Sequence, residues 1–130
     1  MGQTKVIAIV DDDESVREGT ADLIRAVGLV ARVFPDPGRF LSSDALEDTA
    51  CLISDLRMPG MSGLDLYRQL VTSGRDIPFI LITAFPDERD RTRAMNLGVK
   101  CYLSKPFTAD DLFACIRSAL GRLPSDRHAH

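Results

Sequence analysis

Cysteine is scarce in this chain of 130 residues, which has three: Cys51, Cys101 and Cys115. They are odd in number, far apart and set in apolar segments, so neither a disulfide framework nor zinc-ligand spacing is present. They read as small buried hydrophobes, and reduced thiols point to the cytoplasm as the compartment. Long hydrophobic runs are also missing. Nothing approaches the about 20 apolar residues that span a bilayer, so no membrane partner is expected. The opening MGQTKVIAIVDDD takes one short apolar stretch straight into three acids and does not read as a signal peptide. Nor does one sign of charge prevail. Sixteen Lys and Arg stand against 19 Asp and Glu, net −3, with the basic residues scattered. That balance gives no ground for direct nucleic-acid binding by this chain.

What is present is the composition of an ordinary globular domain, 45% hydrophobic and 27% charged, in a length that suits one core. Short apolar runs alternate with amphipathic stretches. KVIAIV (5–10) reads as a strand. A helix follows, with Val16, Leu23, Ile24 and Val27 on one face and Gly28 at its C-terminal cap. LVARVF (29–34) reads as an edge strand closed by Pro35 and Pro37, residues 38–47 as a weak helix, and ACLIS (50–54) as a buried strand. Gly63 opens a third helix with Leu64, Tyr67, Leu70 and Val71 inward. IPFILIT (77–83) is the most apolar strand, and Pro86 is placed in the first turn of a fourth helix. VKCYLS (99–104) is a fifth strand, and Thr108 with Asp111 offers a capping box to a last helix with Leu112, Ile116, Ala119, Leu120 and Leu123 on its face. The domain is expected over 1–123, with a flexible tail at 124–130.

Five strands alternating with five helices imply an α/β fold, a doubly wound parallel sheet covered on both faces. The flavodoxin-like order 2-1-3-4-5 is the leading expectation, and such sheets bind ligands beyond the carboxyl ends of their strands. At those ends stand Asp11, Asp12 and Asp13 after strand one, Asp55 after strand three, Thr83 after strand four and Lys105-Pro106 after strand five. With strands one and three adjacent, Asp11, Asp12 and Asp55 converge. Gathered carboxylates repel, and a hard divalent cation with oxygen ligands, Mg²⁺, relieves them. A hydroxyl (Thr83) and an ammonium (Lys105) on the other side suit a phosphoryl group. Asp55, central in the sheet, is then the carboxylate best placed to be a nucleophile.

The segments IVDDDESVR (9–17), SDLRMPGMSGLDL (54–66), LITA (81–84) and YLSKPF (102–107) together resemble the receiver domain of two-component response regulators, over about residues 4–122. The likeness is greatest to the large branch whose output, when present, is a helix-turn-helix domain. The resemblance implies that Asp55 is the phosphoacceptor for a histidine kinase or histidine phosphotransfer protein. It implies Mg²⁺, with Mn²⁺ as a substitute, bound directly by Asp12 and Asp55, through water by Asp11, and by the backbone carbonyl of Arg57. Thr83 and Lys105 would hold the phosphoryl oxygens, and a cis peptide often precedes the residue matching Pro106. Thr83 and Tyr102 would act as the switch, with Tyr102 turning inward on phosphorylation and reshaping the face made by helix four, strand five and helix five. Arg57 and Phe85 stand where the family tunes the lifetime of the phosphoryl group, and bulky Phe85 is expected to shield Asp55.

Departures and alternatives remain. DERDRTRAMN (87–96) has seven charged or amide residues in ten, so helix four should pack weakly, with pairs such as Asp87–Arg91 on a solvated face. GVKCY replaces the Gly-Ala usual at the start of strand five. A haloacid-dehalogenase-like phosphatase also uses Asp, Thr and Lys, but its general acid would fall at Arg57. A degenerate receiver serving only as a binding module would not need all these groups intact. The output is open: a downstream partner protein, a missing effector domain of a DNA-binding transcription regulator, or a phosphorylation-dependent homodimer.

Overall fold

The computed structural model describes residues 5–121. Its elements are β1 (Val6–Val10), α1 (Glu14–Ala26), β2 (Val30–Phe34), α2 (Pro37–Leu41), a 3₁₀ turn (Asp44–Asp48), β3 (Thr49–Asp55), α3 (Gly63–Thr72), β4 (Phe79–Thr83), α4 (Glu88–Leu97), β5 (Cys101–Ser104) and α5 (Ala109–Leu120). The five strands pair in parallel in the order β2-β1-β3-β4-β5, the flavodoxin-like arrangement expected. Residues 122–130 lie outside the described range, and with them Leu123 and the boundary between domain and tail.

The strands alternate their side chains between two cores. Val6, Ala8, Val10, Leu52, Phe79 and Leu81 face Phe40, Leu64, Leu66, Leu70 and Ala94, from α2, α3 and α4. Ile7, Ile9, Cys51, Ile53, Ile80 and Ile82 face Ala21 and Ile24 of α1 and Leu112, Cys115 and Ile116 of α5. Central strands buried on both faces explain why they read as unbroken apolar runs.

Several local expectations need correction. The weak second helix is a five-residue α2 followed by the 3₁₀ turn. At the break, the hydroxyls of Ser42 and Ser43 donate to the carbonyls of Gly38 and Phe40, competing with helix continuation. Val71 is 52% exposed, and Leu66 is fully buried in its place, because Leu66 and Leu70, one turn apart, share the inward stripe. Val27 follows α1 as its C-cap. Pro86 precedes Asp87, the N-cap of α4, so it lies outside the first turn. The carboxylate of Asp87 accepts from Arg89 N at 2.7 Å, and Arg91 pairs with Glu88 at 4.0 Å instead of with Asp87. Thr108 and Asp111 form the expected capping box on α5, and Ser62 with Asp65 forms a second one on α3 that the sequence reading missed.

In α4, Ala94 alone is buried. The helix ends on Gly98 at φ 114°, and a Cβ there would come within 2.5 Å of the Tyr67 hydroxyl, which donates to Leu97 O. With so little apolar surface to hold it, α4 should open more easily than α5, which buries Leu112, Cys115 and Ile116. Hydrogen exchange should show at least about tenfold lower protection across 88–97 than across 109–120. Equal protection in the two helices would contradict this.

Candidate functional site

Backbone bonds at the carboxyl edge of the sheet fix where each polar side chain emerges. Asp11 N donates to Phe34 O at 3.2 Å, Leu56 N to Ile82 O at 2.8 Å and Lys105 N to Thr83 O at 2.7 Å. These bonds carry the loops after β1, β3 and β5 over the strand ends. The carboxylates of Asp11, Asp12 and Asp55 meet there, with one oxygen of each within 4.8 Å of the others. Asp11 is fully buried and Asp55 6% exposed, while Asp12 faces solvent. Lys105 Nζ stands 3.1 Å from Asp11 Oδ2 and 3.5 Å from Asp55 Oδ1. The Lys105–Pro106 peptide is cis.

Asp11 Oδ1 accepts from Asp13 N at 2.9 Å, and Arg17 Nη1 donates to the Asp11 carbonyl at 2.8 Å. Asp13 is the N-cap of α1 and accepts from Val16 N, so this third acid serves the helix. Asp11 Oδ2 is buried and has no hydrogen bond, since Lys105 approaches it as an ion pair outside hydrogen-bonding alignment. A buried carboxylate oxygen held by an ion pair alone, among three converging carboxylates, fits a hard divalent cation. Burial pushes the Asp55 carboxyl up to about 6; the Asp11 charge adds to this, Lys105 offsets part of it, and Asp12 raises it further.

Thr83 is buried at the end of β4, and its Oγ1 accepts from Phe85 N at 3.1 Å. Tyr102 is half-buried on the far side of that loop, where its hydroxyl accepts from Asp87 N at 3.2 Å. Tyr102 therefore braces the entrance to α4. Phe85 is 70% exposed, so most of its ring faces solvent. Arg57 follows Asp55 by two residues, and its guanidinium binds Asp90 of α4 at 3.0 Å.

Two contributors were not legible as site residues. Gly63 was read only as the start of α3, yet a Cβ there would overlap the Asp55 carbonyl oxygen and lie 2.8 Å from Leu81 Cδ2. Gly63 N also donates to Leu56 O at 2.9 Å. Only glycine lets α3 start this close to the end of β3. The second is Asp90, one acid among many in α4, whose partner is 33 residues away.

The family model of the response regulator receiver domain matches residues 7–117. The chain belongs to this family. The receiver is 39% identical over 125 residues to response regulator protein TmoT of Ectopseudomonas mendocina, covering 96% of this chain and 57% of TmoT. It is 34% identical over 122 residues to transcriptional regulatory protein FixJ of Azorhizobium caulinodans, covering 94% of this chain and 58% of that one. The crystal structure of FixJ-N matches with a TM-score of 0.81 at 32% identity, covering 92% of this chain and 96% of that one. The structure of response regulator StyR matches at 0.84 and 38%, covering 98% and 64%. The receiver thus spans little more than half the length of these curated relatives.

The raised Asp55 carboxyl makes a signed prediction. A folded-state value near 6 against 3.8 means that the folded protein holds this proton more tightly than the unfolded chain. Stability is then lost as pH rises from 4 through 6, by about 3 kcal/mol above that window without divalent cations. Asp55→Asn should remove the cost. In chelator, urea unfolding should find the variant about 2–3 kcal/mol more stable than wild type at pH 8, with little difference at pH 4. A variant no more stable at pH 8 would contradict the crowding.

Proposed function

We propose that this receiver is a phosphorylation-controlled switch in which Asp55 accepts a phosphoryl group from a histidine kinase or histidine phosphotransfer protein in the cytoplasm. Among the described residues, no helix is long and apolar enough to cross a membrane. The observation that carries the reading is the convergence of Asp11, Asp12 and Asp55 with Lys105 held between Asp11 and Asp55. Asp11, Asp12 and Asp55, with the Arg57 backbone carbonyl, would hold Mg²⁺ or Mn²⁺, which supplies charge neutralisation for carboxylate and phosphoryl oxygens.

In the transfer, an Asp55 oxygen attacks phosphorus, the O–P bond forms and the donor's N–P bond breaks, leaving the donor imidazole to take a proton. The protein's part is positioning and electrostatics more than covalent help. Lys105 is already within reach of the Asp55 carboxylate and would follow the charge onto the phosphoryl oxygens. Thr83 has its hydroxyl proton available, since its oxygen accepts from Phe85 N. Receiver domains are generally not enzymes, and self-phosphorylation and autodephosphorylation would be the chemistry of this site.

The output follows from the hydrogen bonds around the loop after β4. Thr83 holds Phe85 and Tyr102 holds Asp87, so Thr83 drawn toward a phosphorylated Asp55 would move the loop that Tyr102 braces. Tyr102 is then free to turn inward. Arg57 reaches the same helix through Asp90, making α4 the element that registers both sides of the site. The α4–β5–α5 face would present the result to a partner protein, an effector domain or a second copy.

Incubation with acetyl phosphate or phosphoramidate and Mg²⁺ tests this. Intact mass should show one added phosphoryl group in wild type, none in Asp55→Asn and none in chelator. No gain in wild type, or an equal gain in the variant, would overturn the assignment. Gel filtration of both forms then reports whether modification drives dimerisation.

A further inference from the structure

Asp11 is held at its amide, its carbonyl and one carboxylate oxygen. Its N–H donates to Phe34 O at 3.2 Å and its Oδ1 accepts from Asp13 N at 2.9 Å, while its carbonyl accepts from Arg17 Nη1 at 2.8 Å. The Arg17 bond differs from the others in kind. It comes from a side chain six residues further on, in α1, which reaches back over the helix N-terminus to the strand end. Its acceptor is the oxygen of the peptide that joins Asp11 to Asp12. The guanidinium therefore fixes a peptide with the buried acid on one side and the exposed one on the other.

Helix electrostatics do not account for Arg17. α1 begins at Glu14, so Arg17 stands close to the positive pole of the helix, where a cation is disfavoured. Four acids, Asp11 to Glu14, precede it in sequence, yet its bond goes to a backbone oxygen. A solvated surface arginine would leave that oxygen to water, whereas this side chain is half-buried and directed. Asp12 is the residue that depends on it. Asp12 is exposed, and among the described residues no hydrogen bond or ion pair holds its carboxylate, although one of its oxygens lies within 4.8 Å of those of Asp11 and Asp55. Its place is set by the backbone that carries it.

Taking Asp11, Asp12 and Asp55 as the cation site proposed above, we infer that Arg17 is its positioning residue: by holding the Asp11–Asp12 peptide, it keeps the exposed Asp12 carboxylate beside the two buried ones. Asp11 Oδ2, buried and without a hydrogen bond, marks where that cluster is open to a ligand. Order imposed by Arg17 leaves less chain entropy to be lost when a cation binds. Its two properties act in opposite directions. As a positive charge near the site, Arg17 opposes a divalent cation; as a hydrogen-bond donor to the loop, it favours one. The sign of the effect of its removal therefore separates a positioning role from a mere charge.

The test is a titration of wild type, Arg17→Gln and Arg17→Lys with Mn²⁺ at neutral pH, reading the free ion by electron paramagnetic resonance. Arg17→Gln should bind Mn²⁺ at least about tenfold more weakly than wild type, the range found when a partner of a metal ligand is lost. Arg17→Lys, which can still donate but lacks the planar fork, should lie between the two. Circular dichroism in chelator should show native helix content in both, and Arg17→Met, which keeps the apolar stem, replaces the glutamine if that variant is unfolded. Equal or tighter binding by Arg17→Gln, the direction that loss of charge alone would give, would overturn the proposal. So would weakening that appears only together with loss of helix content in every variant. Wild type without saturable Mn²⁺ binding would overturn the cation site itself, and the role of Arg17 with it.

Discussion

Three carboxylates brought to one edge of a sheet, two of them buried, set the condition that the rest of this molecule answers. Asp11 and Asp55 share one ammonium, Lys105, and that single cation leaves Asp11 Oδ2 without a hydrogen bond and the Asp55 carboxyl well above its ordinary range. A buried charge without full compensation is costly, and folded proteins retain one where its chemistry is needed. The sheet order creates the problem by placing β1 next to β3, and the tight start of α3 at Gly63 holds Asp55 where it lies. Excess negative charge of this kind could hold a divalent cation, and in the proposed function that cation would bring in phosphoryl oxygens.

The same edge is wired to one helix. α4 contributes little to the core, yet its first turns hold Asp90, paired with Arg57, and its entrance holds Asp87, paired with Tyr102. A well-packed helix would resist small displacements at these two points, whereas one with a single buried side chain can follow them. Its high charge, a departure when read as sequence, is consistent with an element kept on the surface by polar contacts. Phe85, beside it, lies mostly in solvent.

Much of this was legible in the residues. Apolar runs of strand length, interrupted by amphipathic stretches, led to the correct strand order because β-α alternation leaves few windings open. The acids, the threonine and the lysine at successive strand ends were identifiable for the same reason: alternation predicts which end each would occupy. What was not legible depends on tertiary contact. The role of Gly63 comes from the approach of a distant backbone, and Asp90 is indistinguishable from its neighbours until Arg57 is seen beside it. Val71 and Leu66 were confused because a helical stripe has edges that only packing resolves.

Direct titration of the Asp55 carboxyl carbon by NMR, with and without Mg²⁺, bears most closely on the crowded carboxylates. Without a divalent cation the midpoint should lie near 6, and Mg²⁺ should bring it down below the ordinary carboxylate range. A midpoint at 3.8 or lower in chelator, or one that Mg²⁺ leaves unmoved, would contradict the account.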